Sequence, residues 1–238
     1  MKEFWLMILH FLFPLTCVEC ARDLPFDDSY GICEMCKKNI KTISGLFCRK
    51  CGLSLPDGGE HCYTCRKGAK YHFENIRSAC VYEDISKSLV HKFKYRGKEH
   101  LDKVLVSIMG RVLEEEKYES KIDLVVFVPM HWLKEYLRGY NQAELLANRV
   151  SALLGKPVVK CLVRAKLTRA QFRLKREERK RNIEGCFGVK RKAGSVIKGK
   201  NLLLIDDVCT TCATIEECSR ALRASGAGKV YGLTFARD

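Results

Sequence analysis

The sequence lacks an apolar segment long enough to cross a lipid bilayer. Its most apolar stretch, residues 4–13, follows Lys2 and is shorter than a membrane-spanning helix. It also lacks a small-residue cleavage site and runs directly into Pro14, unlike a secretory signal peptide. We therefore predict a short amphipathic helix that packs on the protein or contacts a partner, no stable membrane insertion and a cytoplasmic location. A signal peptide or membrane anchor is the alternative.

Acidic residues are scarce relative to basic ones. The 238 residues include 28 Asp and Glu against 43 Lys and Arg, which gives a formal net charge of +15 at pH 7. This balance favours anionic partners such as nucleic acid, phosphorylated metabolites or an anionic membrane surface. The alternative is a basic surface that serves only solubility.

Cysteines, by contrast, are abundant, and eight of the 14 fall in four Cys-x-x-Cys pairs before residue 66. Their regular recurrence predicts a duplicated unit, and the few aliphatic residues nearby suggest that bound metal supplies the folding free energy. Four thiolates per ion favour two structural Zn²⁺ sites with no open position for catalysis. Sequential pairing is our first choice, with interleaved pairing or a contribution from His61 as alternatives. The predicted ligands are Cys17, Cys20, Cys33, Cys36, Cys48, Cys51, Cys62 and Cys65.

The rest of the chain alternates apolar strands with amphipathic helices. This order predicts an α/β fold with a parallel sheet and helices on both faces. We expect two domains, an N-terminal helix with a double zinc ribbon at residues 1–70 and an α/β domain at residues 71–238. Strands are predicted at residues 76–82, 124–129, 157–163, 186–189, 201–205 and 230–235, and helices at residues 85–94, 101–117, 141–154 and 216–223.

The residues best suited to bind a ligand lie at positions 202–215. The pattern of this stretch predicts a buried strand, a loop and the start of a helix. Asp206 and Asp207 fall at the carboxyl end of that strand, where carboxylates can accept hydrogen bonds from the vicinal hydroxyls of a sugar. The following loop offers hydroxyl and backbone N–H groups to a phosphate at a helix N-terminus. A ribose phosphate would bind both the acidic pair, through its hydroxyls, and the loop, through its phosphate. A sheet edge without a ligand is the alternative. The phosphate-binding candidates are Thr210, Thr211 and Thr214.

Two other basic segments could contact the same ligand. Arg138 and Gly139 follow another apolar strand and offer a charged donor and a flexible backbone to a diphosphate. Residues 164–182 carry nine Lys or Arg against two Glu and are predicted to form a mobile arm. Such an arm can close over an anionic substrate or follow a phosphodiester backbone. A capping loop and a solvated charged hairpin or helix are the respective alternatives.

The strand and loop at residues 202–215 resemble the phosphoribosyl-pyrophosphate (PRPP) motif of type I phosphoribosyltransferases. The two acids, Thr210-Thr211 and Thr214 follow that pattern, but Cys212 stands where the family has Gly. A Gly there allows close approach of the phosphate and an unusual backbone conformation. A Cys could therefore narrow the phosphate-binding loop. Cys209 and Cys212 also form a fifth Cys-x-x-Cys pair, which leaves redox sensitivity as a further reading.

The wider sequence resembles the ComF (competence protein F) family, in which a double zinc ribbon precedes a phosphoribosyltransferase-like domain. Besides the cysteine pairs and the PRPP-type loop, three landmarks match in order; Tyr140 departs from a position where Phe is common. These landmarks are His-Lys-Phe-Lys-Tyr-Arg-Gly at residues 91–97, Arg-Gly-Tyr-Asn-Gln at residues 138–142, and Gln171 through Arg179 to Asn182.

This resemblance implies a type I phosphoribosyltransferase-like fold that binds PRPP with Mg²⁺, and a role in natural transformation and the handling of single-stranded DNA. No residue stands out as a general base and no acceptor pocket can be identified, so catalytic residues stay unassigned. The alternative is an inactive zinc-ribbon adaptor that binds DNA or an uptake helicase. The implied PRPP residues are Asp206, Asp207, Thr210, Thr211, Cys212, Ala213, Thr214, Arg138 and Gly139, with Gln171, Lys175 and Arg179 in the mobile loop.

Overall fold

The computed structural model describes residues 13–95, 97–164 and 183–238. The predicted N-terminal helix lies largely outside these residues, as do Gln171, Lys175 and Arg179 of the basic arm. The strands are β1 (Ile76–Val81), β2 (Leu124–Phe127), β3 (Leu162–Arg164), β4 (Phe187–Val189), β5 (Leu202–Cys209) and β6 (Val230–Arg237). The helices are α1 (Glu34–Lys38), α2 (Tyr63–Arg66), α3 (Asp84–Phe93), α4 (Asp102–Glu115), α5 (Tyr118–Lys121), α6 (Trp132–Arg138), α7 (Gln142–Leu154), α8 (Gly194–Ile197) and α9 (Ala213–Ala224).

Four strands form the predicted parallel sheet, in the order β1-β6-β5-β2. The central strand β5 pairs Leu204 with Val126 on one side and with Gly232 on the other. Every residue of its segment 202–205 is buried, as expected for a strand covered on both faces. The apolar runs therefore form the core of the sheet, and their polar continuations emerge at one edge.

Helices cover both faces of this sheet. On β6, Gly232 faces Ile215 of α9, whereas its neighbour Tyr231 packs edge-on against Tyr118 of α5, with ring centroids 5.9 Å apart. Successive residues of a strand point to opposite faces, so α9 and α5 lie on opposite sides. Helix α4 contacts both β6 and α7. The predicted layer arrangement is confirmed.

Some local predictions differ from the structure. Strands β3 and β4 pair antiparallel in a separate two-stranded sheet, and residues 157–161 contribute only an isolated bridge at Val158. The predicted loop after β2 contains helix α6, which His131 caps by accepting a hydrogen bond from the Leu133 N–H. Tertiary packing overrides the apolar pattern in the first case, and a seven-residue helix is too short for periodicity to identify in the second.

The cysteine-rich segment forms two similar units packed against the sheet. Each has an antiparallel bridge, Thr16 with Asp23 and Phe47 with Ser54, and a short helix that follows its third cysteine. The second unit contacts β1 through a hydrogen bond that the Ile76 N–H donates to the Lys50 carbonyl. A Cβ on Gly52 would lie 2.6 Å from the Ile76 carbonyl oxygen, so this approach requires glycine. The domain division near residue 70 stays a prediction.

Candidate functional site

A cavity of about 340 Å³ opens at the carboxyl edge of the sheet. Because the strands run parallel, the ends of β1, β2, β5 and β6 all meet there. Its size falls within the usual range for small-molecule pockets, and its wall combines acidic, basic and hydroxyl groups. The polar and charged lining residues are Tyr82, Lys94, Lys134, Arg138, Asn141, Gln142, Arg164, Asp206, Asp207, Thr210, Thr214 and Asp238.

The two predicted acids lie on β5 and have different surroundings. The Asp206 carboxylate accepts a 2.9 Å hydrogen bond from the Asp207 N–H, and burial together with the neighbouring charge raises the pKa of Asp206 to about 8. Asp207 instead lies 3.1 Å from the Lys94 Nζ. The charge of Asp207 raises the pKa of Lys94 and keeps this half-buried lysine protonated. The pair thus combines Asp206, whose pKa is raised, with Asp207, whose charge is balanced by Lys94.

The loop after β5 leads directly into helix α9. Thr210, Cys212, Ala213 and Thr214 line the cavity, and the helix presents its N-terminal N–H groups at this end. Such a helix start attracts anions through its unpaired N–H groups and its dipole. Thr211 belongs to the same loop but is not part of the cavity wall. The loop and the acids therefore form one continuous surface.

Cys212 keeps the backbone conformation for which a glycine would be expected. Its φ is +63°, in the left-handed region, and the residue is only 4% exposed. Its sulfur lies 3.6 Å from the Cys209 Sγ and 3.1 Å from a guanidinium nitrogen of Arg237. The hydrogen bond with Cys212 and the charge of Arg237 lower the pKa of Cys209 despite its burial. The Cys212 sulfur thus lies in the buried region that it shares with Cys209 and Arg237, and the residue also forms part of the cavity wall.

The second predicted loop contributes the cationic wall. Arg138 ends α6 and donates a 2.5 Å hydrogen bond to the Gln142 Oε1, while Gly139 follows with φ +95° outside the cavity wall. Burial and the charges of Arg164 and Arg138 lower the pKa of Lys134. Cations held this close repel one another, and a bound anion would relieve the repulsion. This part of the cavity is therefore suited to a diphosphate.

Two landmark segments meet at the site through Tyr140. Its hydroxyl lies within hydrogen-bonding distance of the carbonyl oxygens of Phe93 and Tyr95, the latter at 2.8 Å. This contact joins the loop after α6 to the turn after α3, which carries Lys94. A phenylalanine at residue 140 would fill similar space without this link, so the departure from the family pattern has a structural role.

Sequence reasoning missed several wall residues. Lys94, Lys134, Arg164 and Asp238 had no assigned role in the site, although Arg164 begins the predicted basic arm. Lys94 lies in a landmark matched to the ComF family, which was a usable signal. The other positions show no local pattern that distinguishes them from surface charges.

The eight paired cysteines form two clusters in the predicted sequential order. The first comprises Cys17, Cys20, Cys33 and Cys36, and the second Cys48, Cys51, Cys62 and Cys65; within each, the sulfur atoms lie within 4.8 Å of one another. Interleaved pairing is thereby wrong, and the exposed His61 belongs to neither cluster. Four soft, convergent sulfurs fit a tetrahedral Zn²⁺. Both clusters are suited to a structural role, because each offers four protein ligands.

Comparison with known proteins agrees with this architecture. Residues 8–66 match the family described as "Double zinc ribbon domain". Together with the sheet, this match defines a double zinc ribbon joined to an α/β domain built on a parallel sheet. Among the described residues, no helix is long and apolar enough to span a membrane.

Relatives extend over nearly the whole chain. Competence protein F of Haemophilus influenzae is 28% identical over 94% of this chain and 98% of its own length. Competence protein ComFC of Bacillus subtilis is 29% identical, covering 87% and 84% respectively. The DNA utilization protein YhgH of Escherichia coli K12 is 25% identical, covering 91% and 94%. The resemblance to the ComF family is confirmed, and the chain is a homologue of these competence and DNA utilization proteins.

Solved structures show a weaker likeness. The glutamine PRPP amidotransferase of B. subtilis superimposes on 48% of this chain and 22% of its own, with 18% identity and a TM-score of 0.33. A PRPP synthetase of Mycobacterium smegmatis gives a TM-score of 0.30. At this level the likeness carries no argument about the site, which rests on the geometry above.

Proposed function

We propose that the cavity binds PRPP together with Mg²⁺. The observation that supports this most directly is the continuity of an acidic pair, a phosphate-type loop and a cationic wall around one cavity. Asp206 and Asp207 would accept hydrogen bonds from the ribose hydroxyls, and the start of α9 would receive the 5′-phosphate. Arg138, Lys134 and Arg164 would face the pyrophosphate. When bound, Mg²⁺ would neutralise phosphate charge through oxygen ligands and retained waters.

If a transfer follows, pyrophosphate leaves the anomeric carbon as an acceptor attacks. The cationic wall would stabilise the departing charge, and the acids would hold the ribose in position. No described side chain is assigned as the acceptor's general base. The proposal therefore covers ligand binding and leaving-group stabilisation, with the acceptor left open.

Calorimetric titration of PRPP into the reduced, zinc-loaded protein with Mg²⁺ tests this function. We expect saturable binding that weakens at least about 100-fold in the Asp206→Asn/Asp207→Asn double variant, since both carboxyl groups proposed to hydrogen-bond the ribose are replaced by amides. The control is Asp27→Asn/Asp57→Asn, which removes two exposed carboxylates. No binding by the wild type would reject the function and favour an adaptor on an inherited fold.

A second function, handling of single-stranded DNA in the cytoplasm during uptake, has separate support. The net charge of +15 suits a phosphodiester chain, and the relatives are named for competence and DNA utilization. The basic residues after β3 are the predicted contact. An uptake helicase is the corresponding candidate protein partner.

Fluorescence anisotropy with a labelled single-stranded oligonucleotide tests DNA binding. Affinity should fall steeply with salt, and Lys175→Gln/Arg179→Gln should reduce the log–log slope by about 1.4, as expected for two lost phosphate contacts. Lys87→Gln/Lys117→Gln removes two exposed charges elsewhere and should have a smaller effect. Salt-independent or absent binding would reject this function.

A further inference from the structure

Two cysteine sulfurs meet at the candidate phosphate loop. Cys209 ends β5 and Cys212 directly precedes α9, and their Sγ atoms lie 3.6 Å apart as free thiols. The sulfurs of a disulfide are about 2 Å apart, so these two need to approach by about 1.6 Å to form a bond. The two thiols are therefore close enough to form a disulfide after a small local shift.

A buried guanidinium lies beside both sulfurs. Strand β6 pairs Arg237 with Cys209 of β5, and one guanidinium nitrogen lies 2.7 Å from the Cys209 Sγ and 3.1 Å from the Cys212 Sγ. Arg237 is 7% exposed and forms no ion pair with a carboxylate within the described part of the chain. A neighbouring cation stabilises a thiolate, which is the form of cysteine that attacks an oxidant. Cys209, whose sulfur is closer to the guanidinium, is therefore the expected nucleophile.

The cavity gives a small oxidant access to this pair. Cys209 and Cys212 are only 2% and 4% exposed, but both belong to the wall of the cavity of about 340 Å³ at the carboxyl edge of the sheet. Hydrogen peroxide is little larger than water and can enter a cavity of this size, whereas a protein thiol or disulfide cannot. The pair is therefore open to small oxidants from the side on which a phosphate ligand would bind.

We propose that Cys209 and Cys212 form a reversible disulfide that lowers the affinity of the loop for a phosphate ligand. The ring closed by this bond contains Thr210 and Thr211, and Thr210 lines the cavity. Drawing Cys212 towards the end of β5 shifts the first N–H groups of α9, which are the groups available to a phosphate. The effect on ligand affinity rests on the proposed PRPP function, whereas formation of the disulfide does not.

The oxidant in this reaction is a hydroperoxide. The Cys209 thiolate attacks one peroxide oxygen, so that an S–O bond forms, the O–O bond breaks and hydroxide leaves. The Cys212 thiolate then attacks the Cys209 sulfur, so that the S–S bond forms, the S–O bond breaks and a second hydroxide leaves. The two protons released by the thiols convert both hydroxides to water, and the two sulfurs give up two electrons in total. A reduced dithiol reverses the reaction by thiol–disulfide exchange and is itself oxidised to a disulfide.

Peptide mapping after hydrogen peroxide treatment tests the disulfide directly, at a dose below the one that releases zinc to a chromophoric chelator. After denaturation and alkylation of free thiols, the tryptic peptide of residues 201–220 contains Cys209, Cys212 and Cys218. We expect Cys218 to be alkylated and the other two to be joined, and dithiothreitol should return both to free thiols. Cys209→Ala should leave this peptide fully alkylated, whereas the control Cys218→Ala should still form the disulfide. Absence of the bond, or a bond from either residue to another cysteine, would overturn the proposal.

Calorimetric titration of PRPP with Mg²⁺ gives the readout for the loop. Peroxide treatment should weaken PRPP binding by the wild type about 10-fold or more, the loss expected when one charge-assisted hydrogen bond to the phosphate is broken, and dithiothreitol should restore it. Cys209→Ala, compared with itself before and after peroxide, should show no change. If the reduced wild type does not bind PRPP, the PRPP function fails while peptide mapping still decides whether the disulfide forms. If the disulfide forms and PRPP affinity is unchanged, the effect on the loop is refuted.

Discussion

Replacing Asp206 with Asn should stabilise the ligand-free protein while removing its affinity for PRPP. Burial and the charge of Asp207 raise the pKa of Asp206 from 3.8 to about 8. The folded protein therefore holds this proton more tightly than the unfolded chain does. Stability is greatest below the unfolded pKa and declines as the pH rises towards the folded value. The amide of Asn does not ionise, so it avoids the cost of a buried negative charge, and its oxygen can still accept the hydrogen bond from the Asp207 N–H.

The size of the effect follows from the same shift. Without any solvent screening, the raised pKa of Asp206 would correspond to a loss of about 6 kcal/mol in the free energy of unfolding. Asp206 is partly exposed to the cavity, so solvent reduces the penalty, and we expect a gain of about 1–3 kcal/mol at pH 8. The gain should be small near pH 4 and increase up to about pH 8.

Urea denaturation of both proteins across this pH range gives the measurement. Asp57→Asn makes the same charge change at an exposed position and serves as the control. A variant that is less stable than the wild type, or whose stability difference does not change with pH, would refute the reasoning about the buried acid. In the same window, PRPP affinity of the wild type should rise with pH as Asp206 ionises.

Three further predictions concern stability and metal content. Lys94→Met should destabilise the protein by about 1–3 kcal/mol, because it leaves Asp207 without its 3.1 Å partner; thermal unfolding should show no such loss for the exposed Lys87→Met. Gly232→Ala should cost about 1–3 kcal/mol in chemical denaturation, since its Cβ would lie 3.0 Å from Ile76 and 3.1 Å from Ile215, whereas Gly110→Ala has open space and should be neutral or stabilising. Chelation of zinc should make the cysteine-rich segment sensitive to limited proteolysis, with protection restored by Zn²⁺; continued resistance after complete metal removal would count against metal-dependent folding.

The sequence by itself determined the features that depend on local spacing. Cysteine pairs can converge on one metal because two residues separate their members, and the structure groups them sequentially as expected. The apolar runs and the adjacent acids placed Asp206 and Asp207 at the carboxyl end of a buried strand, which β5 confirms. These properties follow from short-range geometry and the burial of apolar residues.

Only the tertiary structure decided which distant residues share the cavity and how the cysteines near it are arranged. Lys94 on the turn after α3 and Lys134 on α6 reach one wall because the parallel strands that precede these helices end at a common edge. Arg164 joins them from the end of β3, in the separate antiparallel sheet. Cys212 looked like an obstruction in the linear motif, but its sulfur is buried with Cys209 and Arg237. The physical reason is that tertiary packing fixes the direction of each side chain, which local spacing cannot specify.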